Sequence, residues 1–145
     1  MIKNRYLYRG KAIHPKKGNG WLIGHLISQP HLQIIQTQEN PETIVVSNKI
    51  KPDTLGQCTG LKDKNDKLIF EGDIVKVFRA IGGEKYDLGV IDWNEYYSSW
   101  NILPVDKKYP TDTIEVLLYG NEDLIIVVGN RYDNPELVKE KGKGK

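Results

Sequence analysis

The sequence has too little of several residue types to belong to some common classes of protein. Cys58 is its single cysteine, so no internal disulfide can form and nothing implies an oxidising compartment. The longest apolar run, residues 124–128, is far shorter than the roughly 18 residues that a membrane helix needs. The first residues also lack the apolar stretch of a secretory signal. We therefore expect a cytoplasmic protein with no membrane contact, in which Cys58 is a buried small hydrophobic residue of a strand.

The motifs of the common catalytic mechanisms are absent as well. Neither Ser28 nor Cys58 lies in the Gly-x-Ser-x-Gly elbow of an acyl-transfer enzyme, and the glycines at 18–20 lack the lysine and hydroxyl residue that complete a phosphate-binding loop. No two histidines have the spacing of a helical zinc motif. We expect His25 to pack half-buried in a strand. These absences predict a protein that is not an enzyme and needs no cofactor.

Four acidic residues fall within eleven positions and could supply ligands for a hard cation: Asp63, Asp66, Glu71 and Asp73. Their spacing does not match the twelve-residue calcium loop, which needs glycine at its sixth position and glutamate at its twelfth. Three lysines interleave with them and reduce the local charge. We therefore expect a structural turn without a metal ion, in which side chains next to Gly72 accept backbone hydrogen bonds.

Charge is distributed unevenly behind a net value of +2. Residues 1–60 contain eight Lys and Arg against three Asp and Glu, whereas residues 61–130 contain eight against thirteen. The first part is therefore near +5 and the second near −5. One explanation of this charge split is chance, with the charged residues simply facing solvent. The alternative is a dipolar molecule whose copies attract head to tail, or a basic part that meets an acidic partner.

Short runs rich in Ile, Val, Tyr and Trp alternate with Gly and Pro along the chain, which predicts many short strands. The class is therefore mainly β, with α+β character only at the margins. The first part reads as a small antiparallel sheet, and the strands after it favour a small barrel or sandwich. Asn134 followed by Pro135 predicts the start of one short C-terminal helix. The Lys-Gly tail has no apolar face and should be disordered.

Two compact segments resemble a known family. Residues 53–65 with 69–75 closely resemble the hallmark segment of the YopX family, and residues 128–137 resemble its C-terminal ending. Residues 9–12, followed by Trp21 and Gly24, fit its looser N-terminal part. We interpret these motif residues as structural: Thr59, Gly60, Asp63, Glu71, Gly72, Asp73, Gly129 and Asn130.

One departure from the family pattern lies in a turn. The family usually turns with Asn-Gly, where this chain has Asn65 and Asp66. Aspartate tolerates the left-handed conformation better than most residues do, so the turn should survive.

The resemblance implies a domain order and a biological setting. Family members occur mainly in bacteriophages, prophages and other mobile elements of Gram-positive bacteria. The implied fold is a β-rich N-terminal subdomain at residues 1–52, an SH3-like β-barrel at 53–138 and a disordered tail at 139–145. The family implies no established activity, so no catalytic residue transfers to this chain.

Four aromatic residues fall within eight positions around a turn: Trp93, Tyr96, Tyr97 and Trp100. A hairpin gathers at least two of them on one face, where rings could stack on bases or on a peptide's prolines. A core role is the alternative, because Trp93 and Trp100 fall in predicted strands. Acidic residues around them, including Asp92 and Glu95, would repel phosphate.

The sequence thus predicts a phage or prophage accessory protein that acts as a binding module. Its expected partners are an unidentified phage or host protein and further copies of itself, in a homo-oligomer. The alternative is a nucleic-acid-binding protein that uses the basic N-terminal residues Arg5, Arg9, Lys11, Lys16 and Lys17. A nuclease using the acidic loop has no supporting feature.

Overall fold

The computed structural model describes residues 4–16, 18–30, 32–40, 44–105, 116–117 and 120–139. In these ranges the chain forms eleven strands and four short 3₁₀ turns, with no helix of seven residues or more. The chain divides into two compact units, residues 1–60 and 61–145. The prediction of a mainly β protein is confirmed.

The first unit is an antiparallel sheet with strand order β4-β3-β2-β1-β5. Its strands are β1 (Tyr8–Lys11), β2 (Trp21–Gln29), β3 (Leu32–Asn40), β4 (Ile44–Lys49) and β5 (Gly56–Lys62), the last of which continues past the end of the unit. Strands β1 to β3 each pair antiparallel with the next strand in sequence, as alternating sequences between Gly and Pro favour. The buried apolar residues of this unit are Ala12, Ile35, Ile50 and Cys58. The prediction for Cys58 is confirmed, because it lies in β5 and is fully buried.

The structure divides the chain inside β5, later than the boundary that we placed after residue 52. Pro52–Thr54, which spans that predicted boundary, forms a 3₁₀ turn. The hydroxyl of Thr54 accepts a hydrogen bond from the backbone N–H of Lys11 and donates one to the carbonyl of Lys51. This turn therefore belongs to the first unit through its contact with β1.

The second unit is built on an antiparallel sheet with strand order β10-β9-β8-β7-β11. Its strands are β6 (Leu68–Phe70), β7 (Asp73–Phe78), β8 (Tyr86–Asn94), β9 (Ser99–Pro104), β10 (Val116–Leu117) and β11 (Ile125–Asn130), with β6 paired to β5. Its core is made of β-branched residues, which strands favour: Ile69, Val75, Ile91, Ile102, Ile125 and Val127.

Two finer expectations for the second unit do not match the described residues. They contain no closed barrel, since β10 and β11 end the sheet, and an SH3-like barrel is therefore not confirmed. In place of a C-terminal helix there is one 3₁₀ turn, Pro135–Val138. The side chain of Asn134 does not cap this turn, because its oxygen accepts a hydrogen bond from the backbone N–H of Asn130. Residues 140–145 of the expected tail lie outside the described ranges.

Candidate functional site: an exposed aromatic hairpin tip

The hairpin between β8 and β9 holds the predicted aromatic residues in a defined turn. Trp93 pairs with Trp100, and Asn94 pairs with Ser99 across the strands. The Asn94 side-chain oxygen accepts a 2.9 Å hydrogen bond from the backbone N–H of Tyr97, which holds the turn closed. Ser98 adopts a left-handed conformation with φ of 49°. We call residues 92–100 the hairpin tip.

The two tryptophans form the base of the hairpin tip. Their rings meet edge to face, with centroids 5.0 Å apart. Trp100 packs against the core of the second unit, whereas Trp93 is 38% exposed. Such a cross-strand aromatic pair stiffens a hairpin end. The expectation of a core role therefore describes Trp100 best and Trp93 only in part.

The two tyrosines form the outer part of the hairpin tip. Tyr96 is 87% exposed and Tyr97 is 70% exposed. Their rings contact each other edge to face, with centroids 4.8 Å apart. The core of the second unit contains neither ring. We call these two residues the tyrosine pair, and both of its rings are more exposed to solvent than the ring of Trp93.

All charged residues of the two strands and the turn that form the hairpin are acidic. Residues 86–105 contain three acidic residues and no Lys or Arg. The negative charge of Asp87 is paired with Arg79, because both carboxylate oxygens accept hydrogen bonds from the Arg79 guanidinium, at 2.9 and 3.1 Å. These hydrogen bonds, followed by the charge of Asp87, raise the pKa of Arg79. Asp92 and Glu95 are the acidic residues nearest in sequence to the tyrosine pair.

The motif aspartate Asp63 is a buried hydrogen-bond acceptor. One carboxylate oxygen accepts from the backbone N–H groups of Asn65 and Lys67, at 2.8 and 3.0 Å. The other oxygen accepts from the N–H of Val127 in β11 at 2.9 Å. Asp63 is only 6% exposed. Its carboxylate is thus engaged in shaping the turn after β5 and in fastening that turn to β11.

The second pair of motif residues, Gly72 and Asp73, shapes the turn between β6 and β7. A carboxylate oxygen of Asp73, which is 1% exposed, accepts a 2.8 Å hydrogen bond from the N–H of Phe70. Gly72 has φ of 85°, and a Cβ there would lie 3.1 Å from the Tyr132 ring. The expected role of an acid beside Gly72 as a backbone acceptor is therefore confirmed for Asp73.

The C-terminal motif residues lie next to this turn. The carbonyl of Gly72 accepts a hydrogen bond from the N–H of Arg131 at 2.9 Å. The side-chain oxygen of Asn130 accepts from the N–H groups of Tyr132 and Asp133. At Gly129 a Cβ would collide with the side-chain oxygen of Asn134. The part of the first motif segment around Gly72 and the C-terminal motif segment, although distant in sequence, are therefore in contact within the second unit.

Thr59 and Gly60, by contrast, lie in β5 within the first unit. Thr59 is 8% exposed. Gly60 has φ of 81°, and a Cβ at this position would lie 3.0 Å from the Cβ of Arg5.

Across the described ranges, no three His, Cys, Asp or Glu side chains lie close enough together to hold a metal ion.

The basic N-terminal residues do not form one exposed row. Arg9 is 9% exposed, and its guanidinium carbon lies 4.8 Å from the centroid of the Trp21 ring. The Lys11 ammonium lies 5.5 Å from the same ring. Arg5 and Lys16 are exposed, and Lys17 lies outside the described residues. Arg9 is therefore not available to a phosphate group.

The expectation that His25 is half-buried is wrong, since it is exposed on β2.

A comparison with protein families identifies the chain. The family model described as YopX protein matches residues 19–139. The chain belongs to the YopX family. The resemblance recognised in the two compact segments is thereby confirmed. A comparison with curated proteins finds no match. One similar solved structure is the crystal structure of protein EF1440 from Enterococcus faecalis, with 24% identity over 74% of this chain and 75% of that chain, and a TM-score of 0.40.

Two features of this YopX-family chain were missed by sequence reasoning. The stacking of Arg9 on Trp21 depends on a pairing between β1 and β2 that no local signal states. The hydrogen bond from the backbone N–H of Asn130 to the Asn134 side chain could have been expected, because an asparagine before proline suits a turn as well as a helix cap.

In the part of the chain that the structure describes, no helix is long and apolar enough to cross a membrane.

Proposed function

We propose that this YopX-family protein is a phage or prophage accessory module that binds another protein in the bacterial cytoplasm, with the hairpin tip as its contact surface and no catalytic activity. The observation that supports this most directly is the exposure of the tyrosine pair, at 87% and 70%. Tyrosine is enriched among the residues that dominate binding energy at interfaces, because it offers a large rigid ring and a polar hydroxyl.

The base of the hairpin tip supports the same proposal. The hydrogen bond that the backbone N–H of Tyr97 donates to the Asn94 side chain, and the packing of Trp93 on Trp100, hold the turn in the absence of a partner. A surface that is already ordered loses less conformational entropy on binding, so more of its contact energy appears as affinity. Rings that contribute little to the core and stand on a rigid turn are suited to recognition.

Affinity capture from prophage-induced cells tests this proposal. The bait is the full chain, compared with a Tyr96→Ala/Tyr97→Ala variant and with an Ile81→Ala variant. Ile81 is 79% exposed and lies in the turn between β7 and β8, so its variant controls for the loss of exposed apolar surface. We expect a protein that the wild type and the control retain and the tyrosine variant loses. Equal retention by all three baits would overturn the proposal.

Self-association is the second part of the proposed function. The first unit carries eight basic against three acidic residues, whereas residues 61–130 carry a net negative charge, so the oppositely charged parts of two copies attract each other. Pairing of strand edges would hold the contact, while charge mainly speeds and orients it, since exposed ion pairs contribute about 0–1 kcal/mol each. Sedimentation at micromolar concentration tests this. A monomer at both low and high salt would exclude it.

An SH3-like architecture for the second unit, which the resemblance implies, also stays a proposal. The consecutive antiparallel pairing of β7, β8 and β9 supports it. An experimental structure that shows whether the sheet closes is its test.

A further inference from the structure

The rings of the hairpin tip differ from five other aromatic rings of the described residues in one respect. Among the described residues outside the hairpin tip, five rings have a Lys or Arg cation over them, at 4.3 to 5.7 Å from the ring centroid: Tyr6, Trp21, Phe78, Tyr86 and Tyr132. In the part of the chain that the structure describes, no cation lies over any of the four rings of the hairpin tip. Aromatic faces attract cations, so these rings offer positions of a kind that the chain fills elsewhere.

Negative charge lies beside these rings. Asp92 is paired across the strands with the neutral Asn101, and Glu95 is exposed in the turn itself. No ion pair joins either carboxylate to another residue within the described ranges. Since residues 86–105 contain no Lys or Arg, the hairpin supplies no cation of its own to these groups.

Together these observations define the chemistry of the partner. We propose that the hairpin tip binds a segment of a protein partner that presents Arg or Lys side chains, each cation lying on a tyrosine face with Asp92 or Glu95 as its counter-charge. This inference rests on the proposed function and adds the chemical class of the ligand. Nucleic acid is the disfavoured ligand, because both carboxylates repel phosphate.

A peptide titration with a matched neutral peptide tests the inference directly. The probe is a peptide of alternating Arg and Gly, and its control replaces each Arg with citrulline, which keeps the shape and removes the charge. Binding is followed by the NMR signals of the indole N–H groups of Trp93 and Trp100. Trp21, in the other unit, serves as the internal reference. We expect the arginine peptide to shift the first two signals and the citrulline peptide to leave all three in place.

Variants separate the ring contribution from the charge contribution. Tyr96→Ala/Tyr97→Ala should weaken peptide binding roughly five- to thirty-fold, from two exposed cation–π contacts. Asp92→Asn/Glu95→Gln should weaken it about three-fold or more and reduce its dependence on salt. Glu84→Gln, an exposed acid outside the hairpin tip, should leave the affinity unchanged.

The peptide titration and the affinity capture together distinguish the inference about the ligand from the proposed function. If the arginine and citrulline peptides bind equally, or if neither binds, the inference about the ligand is overturned. The proposed function is upheld even then if the tyrosine variant fails to retain the partner in the affinity-capture experiment. Conversely, selective binding of the arginine peptide with unchanged capture keeps the ligand chemistry and overturns the proposed function. A single-stranded oligonucleotide that shifts the same two indole signals overturns the preference for cations.

Discussion

A carboxylate oxygen of Asp63 accepts a 2.9 Å hydrogen bond from the backbone N–H of Val127, 64 positions further along the chain. Next to this bond, the N–H of Lys64 donates to the carbonyl of Ile125 at 2.9 Å. Both bonds lie on the side of β11 that faces away from β7, where an edge strand would otherwise present unpaired groups. The turn after β5 thus covers part of an edge strand, and Asp63 is the residue that joins them.

Removal of this carboxylate should destabilise the protein strongly. In Asp63→Ala, three backbone N–H groups lose their acceptor: that of Val127 is buried, whereas those of Asn65 and Lys67 are partly buried and can bind water instead. An unsatisfied buried donor costs about 1–3 kcal/mol and a partly buried hydrogen bond contributes about 0.5–1.5 kcal/mol, so we expect a loss of about 2–4 kcal/mol. Asp63→Asn should lose less, because an amide keeps one oxygen. Urea denaturation measures both, with the exposed Asp66→Asn as control. A loss below about 0.5 kcal/mol for the alanine variant would contradict the structural role of Asp63.

Glycine at position 66 should stabilise the turn. Asp66 has φ of 65°, so it adopts the left-handed conformation in which the family usually has glycine. Asp66→Gly removes that steric strain and should raise the free energy of unfolding by roughly 0.5–1 kcal/mol. Its ion pair with Lys62 is exposed and offsets little of this gain. Asp66→Ala is the matched comparison in thermal unfolding and should destabilise the protein; a higher melting temperature for alanine than for glycine would refute the argument.

Two glycines with similar backbone conformations should respond differently to a methyl group. Gly72 has φ of 85° and its Cβ would press on Tyr132, whereas Gly82 has φ of 75° and open space around it. Gly82→Ala should cost about 1 kcal/mol from the left-handed conformation alone. Gly72→Ala should cost about 1–3 kcal/mol more, because the neighbouring ring must move. Equal losses in denaturation would show that the contact with Tyr132 is unimportant.

The aromatic residues of the hairpin tip should separate in their effects on stability. Trp100 packs against the core, so Trp100→Ala should destabilise the second unit by about 2–3 kcal/mol, below the full range for buried tryptophan. Tyr96→Ala and Tyr97→Ala should each stay within about 0.5 kcal/mol of the wild type. Denaturation curves for the three variants provide the measurement. A large loss at either tyrosine would indicate a structural role instead of a binding role.

Removal of divalent ions should leave the protein folded. Two of the four clustered acids, Asp63 and Asp73, are buried and accept backbone hydrogen bonds, and Asp66 is exposed at the turn. We therefore expect the same melting temperature with and without a chelator. A drop of several degrees, or an ion found on these carboxylates, would show that the turn is a metal site.

The local parts of this architecture could be predicted from the sequence. Alternating Ile and Val residues between Gly and Pro predict strands, because β-branched side chains suit the extended backbone. Asn65 with Asp66 predicts a turn, since few other residues accept the left-handed conformation that Asp66 has. The position of four aromatic residues at a hairpin also follows from the spacing of the strands around them.

Tertiary structure decided the roles of individual side chains. Asn134 could cap a helix or accept a bond from Asn130, and it does the second because β11 brings the backbone of Asn130 within reach. His25 and Arg9 both alternate like strand residues, yet His25 is exposed and Arg9 is buried. The sequence by itself determined the β class, the turn at Asn65 and Asp66 and the family, because those depend on neighbouring residues. Burial and hydrogen-bond partners depend on which distant strands pair, and the packing of the folded chain alone determines that.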